Sequence, residues 1–188
     1  MTGAVLSNPT SRSLSLAQEA AMVGAGAAVT AVAAQVTIPW QPVPFTLQTL
    51  AVLVCGAVLG SRRGALSQLA YLAAGAAGLP IFAEFKAGPA VLFGPTAGYL
   101  LAFIAAAWLV GFLNEKGWGR SLGLSLAAMA LGNLVILGVG GLVLAAMIGP
   151  SAAWTMGIAP FLVGDVLKIA LAAGCIPGTW ALLDRRQS

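Results

Sequence analysis

Two ionisable side chains, Asp165 and Lys168, stand inside an otherwise uncharged stretch near the C-terminal end of the chain, Pro160-Phe161-Leu162-Val163-Gly164-Asp165-Val166-Leu167-Lys168. A spacing of three sets them about 60° apart around an α-helix and about 4.5 Å apart along it, so both can look into one cavity. A carboxylate accepts hydrogen bonds and an ammonium donates up to three. Side by side they complement a ligand group that offers N–H donors next to a C=O, such as a urea, an amide or a pterin-like edge. The same pair could instead neutralise itself and fix helix packing. Charge inside a membrane is costly and by default marks a functional site, which favours the ligand reading.

Other residues could join the pair. Asn133 is alone in a long apolar stretch and could bond a neighbouring helix or a ligand. Thr46 and Gln48 follow a proline-rich turn and could face the same cavity. Tyr99, Trp154, Phe82, Phe85 and Phe93 could wall an apolar ligand body, with ordinary packing as the competing role. The chain has no histidine and no GxxxxGK[ST], and Cys55 and Cys175 each lie in apolar surroundings. P-loop nucleotide chemistry, Ser–His or Cys–His nucleophiles and a metal cluster therefore lack their residues. The inventory fits binding and translocation without a cofactor, not an enzyme.

The elements that must position these residues follow from composition. The chain has 188 residues, 60% hydrophobic and 7% charged, with a mean hydropathy of +0.96. Soluble domains carry roughly a quarter charged residues, so the bilayer must solvate most of this surface. At ~20 residues per helical crossing there is room for about six spans and no sizeable soluble domain. The expected spans are 20–38, 45–60, 65–79, 96–113, 122–148 and 153–183. Together they make a single six-helix domain, 17–184, between polar tails 1–16 and 185–188. The net charge is +4, but no basic run is interleaved with aromatics, so nucleic acid is not an expected partner.

Breaks between the spans are explicit. Pro39-Trp40-Gln41-Pro42-Val43-Pro44 cannot continue a helix. Ser61-Arg62-Arg63-Gly64 reads as a tight basic turn, and 80–95 as a long irregular connection of the kind that forms lids. A polar turn is expected at 114–120 and a break at Gly149-Pro150. Arg12 before the first apolar run, with Ala31-Val32-Ala33 inside it, has the outline of a cleavable leader. The run continues to Ile38, so a retained first span is expected. Within it, Gly24/Ala28 and Ala27/Ala31 lie four apart, a spacing that serves an internal contact or a partner.

Basic residues orient the layout. With the N-terminus in the cytoplasm, Arg12, Arg62, Arg63, Lys116, Arg120, Arg185 and Arg186 fall inside and only Lys86 outside. This is the asymmetry of the positive-inside rule, and changing the helix count by one would destroy it. The expectation is therefore an all-α, multi-pass protein of the cell membrane with both termini cytoplasmic. Asp165 and Lys168 would then lie near the outer end of the last span.

Several blocks, in order, are familiar. Pro42-Val43-Pro44-Phe45-Thr46-Leu47-Gln48-Thr49 and Gly60-Ser61-Arg62-Arg63-Gly64 resemble the opening signature of the BioY family. Gly78-Leu79-Pro80-Ile81-Phe82, Gly94-Pro95-Thr96-Ala97-Gly98-Tyr99, Gly132-Asn133 and the block ending Gly164-Asp165-Val166-Leu167-Lys168 are similar to its later signatures. That family comprises biotin-specific S components of energy-coupling-factor vitamin transporters. The resemblance implies a six-helix S-component bundle and biotin held under the loop between helices three and four. It implies ureido contacts from Asp165 and Lys168, with Asn133 and Tyr99 as further contacts. Lys86 is the basic candidate for the ligand carboxylate, with Glu84 beside it. The implied partners are a transmembrane coupling protein and ATPase subunits, or a homodimer if the chain works alone. The competing reading is a proton-coupled secondary transporter of a small amide- or urea-containing solute, with Asp165 as relay.

Overall fold

A computed structural model of the chain describes the backbone of residues 15–185 and the side chains of 15–174. The tail at 1–14, the last three residues, and the side chains of Cys175, Arg185 and Arg186 lie outside the described residues, as does Arg12.

Apolar composition sets the architecture. Helix α1 spans Leu16–Gln35 and opens on a capping box, in which the Ser15 hydroxyl accepts from the Gln18 N–H and the Gln18 side chain accepts from the Ser15 N–H. The proline-rich segment that follows is a hairpin between two short antiparallel strands, β1 (Thr37–Ile38) and β2 (Phe45–Thr46). Helix α2 is Gln48–Ala76, α3 is Ala97–Glu115, and α4 is Leu122–Ile148. After α4 come a single turn, α5 (Pro150–Ala153), a π-helical turn over Trp154–Ile158, and α6 (Ala159–Arg185). Among the described residues, five helical stretches are long and apolar enough to cross a membrane.

Helix α2 is not one rod. Gly60 interrupts it with φ +82° and ψ 176°, a conformation that a side chain disfavours. In a straight helix Gln48 and Tyr71 would stand about 34 Å apart. Here the Gln48 Nε2 donates to the Tyr71 hydroxyl at 2.6 Å. Gly56 and Gly64 also pack backbone to backbone. The two segments are antiparallel and fold about Gly60. The expected basic turn at 61–64 is therefore a one-residue turn at Gly60, and Ser61, Arg62 and Arg63 already belong to the second segment. The Glu115 carboxylate replaces a turn sequence: it accepts from the Ser61 N–H at 2.7 Å and from the Ser61 hydroxyl.

Other boundaries shift for similar reasons. Helix α1 ends at Gln35, not Ile38, because Thr37 and Ile38 enter the strand pair. The last apolar stretch already begins at Pro150 and is not one regular helix, since a π turn over Trp154–Ile158 precedes α6. The connection at 80–95 contains two short 3-10 turns, Ala83–Phe85 and Pro89–Phe93. On α1 the inward stripe is Gly26, Thr30 and Ala34, whereas Gly24 and Ala28 are exposed. Thr30 bonds Gln68 across to α2, so polar groups as well as small ones join these helices.

Candidate functional site

Asp165 lies six residues into α6 and is only 2% exposed. Its Oδ1 accepts from Lys168 Nζ at 3.1 Å, and its Oδ2 accepts from Asn133 Nδ2 at 3.0 Å. Lys168 Nζ also donates to Thr49 Oγ1 at 3.1 Å. Three helices thus meet in one chain of polar contacts: α4 through Asn133, α6 through the pair, and α2 through Thr49. With its side chain 13% exposed, the ammonium sits at the wall of a cavity. It has three donors, two of them used, and the carboxylate keeps lone pairs beyond the two engaged. The site therefore retains donor and acceptor capacity side by side.

The cavity draws its walls from the hairpin, the 80–95 connection and four helices. Val43, Pro44 and Thr46 come from the hairpin, and Gln48 and Thr49 from the start of α2. Phe82, Ala83, Lys86 and Val91 come from the 80–95 connection, Tyr99 and Phe103 from α3, Ile136 and Leu137 from α4, and Phe161 with Asp165 and Lys168 from α6. Apolar groups dominate, with a few polar groups at one side, as is usual for small-molecule sites.

The candidates divide clearly. Asp165, Lys168, Gln48, Tyr99, Thr46, Phe82 and Lys86 all line the cavity. Asn133 is buried behind Asp165 and is not part of the lining; it reaches the site only through the carboxylate. The Tyr99 hydroxyl donates to the Gly157 carbonyl at 2.7 Å, so the residue offers its ring to the cavity and its polar end to the π turn. Gln48 is committed to Tyr71 and accepts from the Thr46 hydroxyl. Lys86 pairs with Glu84 at 2.7 Å. Phe85, Phe93 and Trp154 are exposed and lie outside the lining.

Among the lining residues that escaped sequence reasoning are Phe161 and Thr49. Phe161 precedes Asp165 by four and Lys168 by seven, so a helical stripe could have revealed it. It stacks on Phe45 with ring centroids 4.2 Å apart. Thr49 carried no such signal, because its partner Lys168 is 119 positions away.

A clamp holds the cover of the cavity. Gln35, the last residue of α1, donates from Nε2 to the carbonyls of Ile81 and Phe82 at 3.2 and 3.1 Å. Its Oε1 accepts from the Phe85 N–H at 3.1 Å. Glu84 and Phe85 are both left-handed, with φ of 60° and 56°. Such residues cost of order 1–3 kcal/mol each and persist only where their surroundings over-determine them. Gln35→Ala is expected to speed amide exchange across residues 82–88 by roughly 30-fold, the loss of about two hydrogen bonds. Hydrogen–deuterium exchange of the purified protein measures this, and unchanged protection would mean that the cover is held elsewhere.

Comparison with known proteins places this chain in a family. The profile described as the BioY family matches residues 7–185. A probable biotin transporter BioY of Pyrococcus horikoshii is 40% identical over 156 residues, 83% of this chain and 92% of the relative. The biotin transporter BioY of Thermotoga maritima is 41% identical over 147 residues, 78% of this chain and 86% of the relative. The fold is similar to the crystal structure of the S-component for biotin from an ECF-type ABC transporter, with a TM-score of 0.77 and 23% identity over 89% of this chain and 95% of that one.

Proposed function

Because the chain belongs to the BioY family, and is thus a membrane-integral transport component and not an enzyme, we propose that it binds biotin for uptake, with the ureido ring between Asp165 and Lys168. The observation that carries this reading is the buried pair itself, which keeps acceptor and donor capacity beside an apolar cavity. A ureido ring presents N–H groups that suit the carboxylate and a carbonyl that suits the ammonium. The rings of Tyr99, Phe103 and Phe161 suit the sulfur-containing ring and aliphatic chain of the vitamin. Lys86, on the cover, is the cation for the biotin carboxylate, and exchange of its Glu84 partner for the ligand would accompany binding. Asn133 orients Asp165.

The topology proposed with it counts the α2 hairpin as two crossings, giving six in one domain over 17–184, with both termini cytoplasmic and the cavity toward the outer face of the cell membrane. Arg62, Arg63, Lys116 and Arg120 then share the cytoplasmic side. The exposed Gly24 and Ala28 would meet a coupling protein that carries ATPase subunits, or a second copy where the chain works alone.

Titration calorimetry of the detergent-purified protein tests the reading. Biotin is expected to bind with one-to-one stoichiometry, and diaminobiotin, which lacks the ureido carbonyl, is expected to bind far more weakly. No heat with biotin, or equal affinity for the two, would refute the assignment. Uptake into vesicles driven by a pH gradient alone would favour the proton-coupled alternative.

A further inference from the structure

A second groove lies at the opposite end of the bundle from the cover, between α1 and the second segment of α2. One end is charged and the rest is aliphatic. At the charged end Arg63 Nη2 bonds Glu19 Oε1 at 3.0 Å, so these two charges cancel. Arg62 lines the same end, is exposed, and has no bonded partner among the described residues. From there Leu66, Leu69, Ala70 and Ala73 continue the groove opposite Val23, with no polar side chain among them. Arg62 to Ala73 is about 16 Å of helix, a length that suits an alkyl chain.

A single uncompensated guanidinium at the head of an aliphatic trough complements an amphiphile with an anionic head and a hydrocarbon tail. Guanidinium groups bind phosphate oxygens in a bidentate fork, and basic residues beside membrane helices attract anionic lipids. Past the charged end, the groove offers a protein partner no polar side chain to hydrogen-bond. We propose that this groove is a binding site for an anionic phospholipid, its phosphodiester on Arg62 and one acyl chain along Val23, Leu66 and Leu69.

The full chain in detergent, supplied with equal amounts of phosphatidylglycerol and phosphatidylcholine, provides the test, read by native mass spectrometry of retained lipid. Phosphatidylglycerol is expected to be retained about fivefold over phosphatidylcholine, a preference that disappears in Arg62→Gln and survives in Lys116→Gln. A melting curve unchanged by Arg62→Gln shows that the fold is intact. Equal retention of the two lipids by the native chain would overturn the proposal, as would a preference that survives Arg62→Gln. Displacement of the lipid by millimolar inorganic phosphate would reassign the site to free phosphate. A lipid-free dimer whose interface includes Leu66 would reassign the groove to a second copy.

Discussion

Replacing Asp165 by asparagine is expected to weaken biotin binding by roughly 10- to 150-fold, the worth of a charge-assisted hydrogen bond of about 1.5–3 kcal/mol. The argument is one of atoms. Each oxygen of the carboxylate accepts one donor, from Lys168 and from Asn133. An amide has only one acceptor, so in Asp165→Asn one of those two donors must face an N–H group. The ammonium, whose side chain is only 13% exposed, also loses its counter-charge, and breaking a buried ion pair on one side costs about 3–5 kcal/mol. The double variant Asp165→Asn/Asn133→Asp separates the two effects. It restores a hydrogen bond between α4 and α6 but moves the carboxylate behind the cavity wall. Its melting temperature is expected to recover toward that of the native protein while biotin binding stays weak. Recovery of binding in the double variant, measured by calorimetry, would show that Asp165 matters for packing alone.

Gly111→Val is expected to lower the melting temperature by about 10 °C, or to abolish recovery of monodisperse protein. A Cβ on Gly111 would collide with the carbonyl carbon of Gly60 and the amide nitrogen of Ser61. The obstacle is backbone, which cannot rotate away as a side chain can. Overpacking of this kind costs typically 1–3 kcal/mol and more where nothing can yield, and about 3 kcal/mol corresponds to about 10 °C in a chain of this size. Gly111 and Glu115 lie one turn apart on α3 and hold the α2 turn together, the first by close approach and the second by its bonds to Ser61. Gly138→Ala is the matched control, since a Cβ there meets nothing within 4 Å. Its melting temperature should stay level or rise slightly. Equal stability of Gly111→Val and the native protein would refute the tight packing of the hairpin on α3.

The legible part of the site was local. Asp165 and Lys168 could be singled out because charge is rare in this chain and three residues is a helical interval. Phe161 belongs to the same stripe and was open to the same reasoning. Lys86 and Phe82 followed from the loop that contains them. Phe85 and Phe93 share that loop yet are exposed and lie outside the cavity lining; at Phe85 the backbone is left-handed, as it is at Glu84. Composition named the aromatic residues of the loop but not their directions.

The sequence by itself determined that the chain crosses a membrane, that breaks fall near 39–44, 80–95, 114–120 and 149–150, and that one acid–base pair lies within the last span. These conclusions rest on transfer free energy and on helical periodicity, which act on neighbours along the chain. Tertiary structure decided what the pair touches. Thr49 reaches Lys168 from 119 positions away, and Asn133 reaches Asp165 from 32. It also decided that the Ser61–Gly64 block begins a helix, because a carboxylate 54 residues on replaces the missing turn. Hydrogen bonds and backbone approaches between distant segments depend on how helices are stacked, and stacking leaves no periodicity in any one stretch of sequence.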